Sequence, residues 1–207
     1  SGLRLARTIG LLHDLARFDQ LIRFGTFVDR VSVDHGALGA ELLEAVPLVN
    51  ALTARDRAIL IHAVRHHNAA AIPQVQDPGF GFYLKLVRDA DKLDIFHLLA
   101  HIWLRPGGEE PASEALQLRD APEVSAPIRA AIAANHIAPM AAVKTRADLL
   151  LVRLAWVFDL HFDPTVRRLV RQGSVSVLAG ALPESPSIRC LVTQIESHLA
   201  HRLAAAS

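Results

Sequence analysis

The stretch Leu11-Leu12-His13-Asp14-Leu15-Ala16-Arg17 sets an imidazole and a carboxylate side by side in an apolar run that also contains Ile9. Burying two adjacent polar groups is costly unless a cation or a hydrogen-bonding partner meets them, so any fold of this chain must bring compensating chemistry to this point. Apolar residues recur at three and four residues from 3 to 24. That period predicts one helix stopped by Gly25, with His13 and Asp14 in its rigid middle.

Groups of the same chemical kind recur downstream. They are His35 in Asp34-His35-Gly36-Ala37, His62, the pair His66-His67 before Asn68, and Asp91 in Arg88-Asp89-Ala90-Asp91-Lys92-Leu93-Asp94. Neutral imidazole nitrogens and carboxylate oxygens are what Zn, Mn, Fe and Ni sites use, and carboxylates also accept Mg. The constellation is therefore a candidate active site. Asp34 suits the N-cap of a helix carrying Leu38, Leu42, Leu43 and Val46, which puts His35 in its first turn. Exposed amides there disfavour a charged ring, and this predicts an imidazole kept neutral and available as a ligand. Thr53, with Asp56 three residues on, starts the next helix. On it His62 and His66 share a face, a spacing that can chelate one ion but that two core or surface histidines produce as easily.

The words Gly10-Leu11-Leu12-His13-Asp14, Arg17-Phe18-Asp19-Gln20, Gly25-Thr26-Phe27, Ser32-Val33-Asp34-His35, His66-His67-Asn68 and Arg88-Asp89-Ala90-Asp91-Lys92-Leu93-Asp94 occur in this order over the first half of the chain. In order and content they resemble the HD-domain superfamily of metal-dependent phosphohydrolases, and a bacterial branch of it closely. One such word alone is weak; several ligand-bearing words in family order are specific. The resemblance implies a metal set of His13, Asp14, His35, His66, His67 and Asp91. His13, Asp14 and Asp91 would hold a first divalent ion, with His35 and His67, joined by His66, holding a second or contacting the phosphate. Because the family word ends in His-Asn, His67 ranks ahead of His66, and His66 ahead of His62.

Asp14 and His35 are then catalytic candidates. Lys92 and Arg17 are the nearest cations for positioning phosphate, each with the rival role of an ion pair to Asp94 or Asp19. The donors do not choose among Mn, Mg, Fe, Co, Ni and Zn. The implied activity is hydrolysis of a phosphoester of a small metabolite or nucleotide by a metal-activated water. Two alternatives stand beside it: a di-iron oxygenase of the HD-like class, and a degenerate HD domain that senses a nucleotide. The family carries a further metal-binding His on a helix before the His-Asp pair, and none of the twelve residues before His13 is His. A preceding helix bearing that ligand is expected. Ala16 stands where many relatives have Gly.

The rest of the chain reads as all-α, an HD-domain-like helical bundle with a C-terminal helical extension. A long helix over 80–104 would carry Asp91, with His97 and His101 on its polar face. The stretch 105–121 turns to Pro, Gly and acidic residues, marking a surface loop between an HD core over 1–104 and C-terminal helices over 122–207 packed on it as one compact unit. Those helices are expected near 123–135, over 146–161 capped by Thr145, over 164–172, near 174–181 and over 185–204. His136, His161, His198 and His201 fall to surface or packing roles.

With 51% hydrophobic residues among 207, the chain can bury a core without staples. Cys190 alone permits no disulfide, suits a reducing cytoplasm, and reads as a buried small hydrophobe rather than a nucleophile. A net charge of +1 argues against nucleic acid or an anionic membrane as partner. Arg167, Arg168 and Arg171 read as a solvated face, and the run 149–160 is too short and too interrupted to span a bilayer. The expected partner is a small phosphorylated substrate. Oligomeric state is left open.

Overall fold

The computed structural model describes residues 2–105 and 116–205. Of the loop expected over 105–121, residues 106–115 lie outside those described. Among the described residues the chain is helical, with no strand beyond a single bridge between Arg119 and Thr145. It divides into two compact units, Ser1–Asp91 and Lys92–Ser207. The division falls inside a long helix rather than at the loop.

The first unit contains α1 (Gly2–Leu12), α2 (Ala16–Phe24), α3 (His35–Ala45), α4 (Ala54–His66) and the start of α5 (Pro78–Trp103). Its core joins Leu5 and Ile9 of α1, Leu43 of α3, Ile59, Leu60, Ala63 and Val64 of α4, and Leu84 and Val87 of α5. Asp34 caps α3 by accepting from the amides of Gly36 and Ala37 at 3.0 and 3.2 Å. Thr53 caps α4 through the amide of Asp56 at 3.1 Å. Gly25 ends α2 at φ 67°, where a side chain would be strained. At Gly39 the reason for glycine is space: an added Cβ would lie 3.1 Å from Val64 Cγ1 and 3.6 Å from the Ala16 Cβ. The missing side chain lets α3 approach both α2 and α4.

The predicted single helix over 3–24 is corrected by the structure. The amide of His13 closes the last α-helical bond, to Ile9 O at 2.9 Å. Leu15 and Arg17 then bond back only three residues, to Leu12 O at 3.1 Å and Asp14 O at 2.9 Å, and the chain turns between α1 and α2. In a straight helix neighbouring side chains diverge by about 100°. The tight turn at 13–15 lets two consecutive residues face one point.

The second unit continues α5 and adds α6 (Ala126–Ala133), α7 (Arg146–Leu154), α8 (Asp163–Gln172), α9 (Ser174–Gly180) and α10 (Pro186–Ala205). Phe96, Ile128, Ile132, Leu149, Leu151, Leu154, Leu169 and Leu178 lie in its core. Thr145 and Asp148 form a reciprocal capping box at the start of α7. The helix expected over 146–161 ends at Leu154 and tightens into a 3₁₀ turn, Ala155–Asp159. Arg167, Arg168 and Arg171 are exposed as expected, whereas Cys190 is exposed on α10 rather than buried. No described helix is long and apolar enough to cross a membrane.

Candidate metal centre

Five side chains that the sequence singles out converge in the first unit. His13 Nε2 lies 3.7 Å from Asp14 Oδ2 and 3.6 Å from Asp91 Oδ1, although Asp91 comes from α5. Asp14 turns its other oxygen the opposite way, 3.2 Å from His35 Nε2 and 3.6 Å from His67 Nε2. The two imidazole nitrogens of His35 and His67 stand 2.9 Å apart. Asp14 is thus shared, one oxygen toward His13 and one toward the pair His35 and His67. Ligands around a divalent ion at ~2.1 Å lie ~3.0 Å apart at octahedral angles and ~3.4 Å apart at tetrahedral ones, so the spacings observed suit a metal.

Hydrogen bonding on the far side of each ring gives the same answer. Nδ1 of His13 donates to Gly10 O at 2.8 Å, and Nδ1 of His67 donates to Val64 O at 2.7 Å. Nδ1 of His35 faces the Asp29 carboxylate at 2.6 Å. An imidazole that gives its proton to a carbonyl or carboxylate through Nδ1 presents a lone pair at Nε2. Three such lone pairs and two carboxylates point at one another, and Arg17 Nε donates to one of their oxygens, Asp14 Oδ1, at 3.3 Å. Protons or a metal cation would satisfy the rest of that set.

In the metal-free protein the burden falls on protons. Burial pushes His13 down, but its hydrogen bond to Asp91 and the charge of Asp14 raise it above 6.5. Burial likewise opposes charge on His35, yet hydrogen bonds to Asp14 and Asp29 raise it. The helix-terminus argument predicts a His35 held neutral; two facing carboxylates reverse the sign. Asp14 resists burial through hydrogen bonds from His35 and His67, and its carboxyl falls well below the usual range.

The remaining predicted residues sit differently. His66 turns toward His62, ring centroids 4.7 Å apart, and His62 lies against Phe80 at 5.2 Å, so His66 stands outside the cluster while His67 joins it. Arg17 faces Asp14 at 3.3 Å but is also taken up by Gln20, Phe27 O and Asp29 at 2.9, 2.6 and 3.1 Å, and Asp19 pairs with Arg23 instead. Lys92 is buried, and its Nζ closes on Asp159 at 2.7 Å rather than on Asp94. His97 and His101 pack ring to ring at 4.2 Å, with His101 Nδ1 on His97 O.

Residues that sequence reasoning missed support the cluster from behind. Gln20, fully buried, donates to Asp29 at 2.9 Å, to Ser32 Oγ at 2.8 Å and to Val33 O at 3.2 Å. Its sequence signal was its place in the word Arg17-Phe18-Asp19-Gln20 and not a shared helical face, because the turn at 13–15 separates it from the helix that leads up to His13. Arg88 donates through Nη1 to His67 O at 3.0 Å and Ala69 O at 2.6 Å, fixing the C-terminal end of α4 where His67 sits. Asp29 gave no sequence signal; it stands in the connection between α2 and α3.

Among the described residues two groups have ligand atoms close enough for an ion: His13, Asp14 and His67, and Asp29, Asp34 and His35. No curated protein and no solved structure matched the chain. The family model of the HD domain matches residues 2–95, the stretch that carries all five converging side chains. That segment, somewhat under half of the chain, is similar to the HD domain.

Proposed function

We propose that the first unit hydrolyses a phosphoester of a small metabolite or nucleotide with the help of divalent metal. The observation that carries this reading is the convergence of three imidazole Nε2 atoms and two carboxylates from His13, Asp14, His35, His67 and Asp91. A bound divalent ion supplies Lewis acidity toward phosphate oxygens and lowers the pKa of a water at neutral pH. His13, Asp14 and Asp91 would hold one ion. His35 and His67, with the second oxygen of Asp14, would hold another.

The protein's own cations support the same division of labour. Arg17 holds the connection between α2 and α3, and Lys92 is paired with Asp159, so phosphate charge is left to the metal. His13, His35 and His67 are each anchored through Nδ1, which orients the donor atoms before substrate arrives. Retention of the other ligand words, with His13, Asp14, His35, His67 and Asp91, favours a working centre over a degenerate sensor. Substrate choice would lie in the connections between α2 and α3 and between α4 and α5, which flank the donors.

A panel of phosphate esters assayed with Mn, Mg, Co and Ni tests the proposal. Metal-dependent phosphate release that Asp14→Ala and Asp91→Ala abolish, with folding intact, is the expected result. Iron-dependent oxygen consumption without phosphate release would replace it by the oxygenase reading.

A further inference from the structure

The second ligand-like group, Asp29, Asp34 and His35, differs from the first in one respect: it is already supplied with donors. The Asn68 amide gives its hydrogens to Asp29 Oδ2 at 3.0 Å and Asp34 Oδ1 at 2.8 Å. Arg17 Nη1 and Gln20 Nε2 reach Asp29 Oδ1 at 3.1 and 2.9 Å. Asp34 Oδ1 also takes the amides of Gly36 and Ala37. Carboxylates met this way do not call for a cation, so the group is not a further metal site.

These contacts aim one carboxylate. Both oxygens of Asp29 lie against His35 Nδ1, at 2.8 and 2.6 Å, on the side of the ring opposite Asp14 and His67. His35 is 3% exposed, so its ring has no water to bond instead. Asn68 ties Asp29 to the cap of α3, the helix that begins with His35. Its close fit explains Gly36: an added Cβ there would collide with Asn68 Oδ1 and come within 3.0 Å of Arg65 O.

We infer that Asp29 is the positioning residue of the centre, holding the His35 proton on Nδ1 and the Nε2 lone pair on the metal, with Arg17, Gln20 and Asn68 fixing Asp29 in turn. The inference rests on His35 being a ligand, as proposed above. Carboxylate partners of this kind orient a ligand ring and raise its basicity.

The test uses Asp29→Ala and the gentler Asp29→Asn, which keeps an acceptor oxygen should the alanine variant not fold. Long-range proton–nitrogen NMR on the metal-free protein at alkaline pH reads the His35 tautomer. Titration with Mn²⁺ reads affinity and stoichiometry. The native protein should show Nδ1–H at His35. Asp29→Ala should show mixed tautomers and Mn²⁺ affinity lower by about 10–100-fold at unchanged stoichiometry, with Asp29→Asn between the two. An unchanged tautomer and affinity would overturn the inference, as would a lost ion, which would make Asp29 a ligand. If the native protein binds no Mn²⁺, the metal reading falls, while the tautomer measurement still decides whether Asp29 sets the state of His35.

Discussion

Metal binding at this centre must compete with protons, and the structure says how many. His13 and His35 are raised above 6.5 in the metal-free protein, and both point Nε2 at the cluster. At about pH 5.5 each is more than roughly nine-tenths protonated. Each of the two ions takes one of these nitrogens and displaces about one proton, so the apparent affinity of each should fall about tenfold for each further pH unit of acidification. Asp14 adds nothing to the count, because its carboxyl is already ionised far below this range. Mn²⁺ titration calorimetry in buffers of different ionisation enthalpy counts the released protons directly.

The sign for stability follows from the same shifts. Raised histidines stabilise the metal-free fold fully below about 6.5, and that contribution is lost as pH rises through their folded values. Bound metal works the other way, adding about 2.7 kcal/mol at a hundredfold excess over its Kd. The thermal shift caused by Mn²⁺ should therefore widen from pH 6 to pH 8. No proton release near pH 5.5, or an affinity flat with pH, would refute the assignment of His13 and His35 to the metal.

Two further perturbations test the framework behind the site. Gln20→Leu removes three donated hydrogen bonds and one accepted from Arg17; it should cost about 2–3 kcal/mol in urea unfolding and speed hydrogen exchange of the amides over 26–36. In the second unit, Asp148 is fully buried and accepts from Ser125 N and Oγ, Lys144 N and Thr145 N at 2.8, 2.6, 3.0 and 3.3 Å. Asp148→Ala orphans all four donors, and a loss of about 3–5 kcal/mol is expected, read by the fluorescence of Trp103 and Trp156.

Local chemistry was legible from the residues alone. Asp34, Thr53 and Thr145 cap the helices predicted for them, and Gly25 and Gly173 end theirs, because each acts within one turn of itself. The choice of His67 over His66 could also be read locally: Leu60, Ala63 and Val64 mark the buried face of α4, and position 67 extends it. The resemblance brought together His13, Asp14, His35, His66, His67 and Asp91 by their words; in the fold His13 meets Asp14 and Asp91, Asp14 meets His35 and His67, and His66 turns to His62 instead.

Tertiary structure decided the rest. Periodicity cannot show that a helix breaks at 13–15, since Leu11, Leu12 and Leu15 continue the apolar pattern straight through the turn. The protonation of His35 depended on Asp14, at the turn before α2, and on Asp29, in the connection between α2 and α3, which together outweighed the local helix-terminus effect. Lys92 found Asp159 across sixty-seven residues of chain instead of its neighbour Asp94. Charges choose partners by distance in space, and a side chain buried beside a distant carboxylate gains more from it than from a nearer one in sequence that it cannot reach.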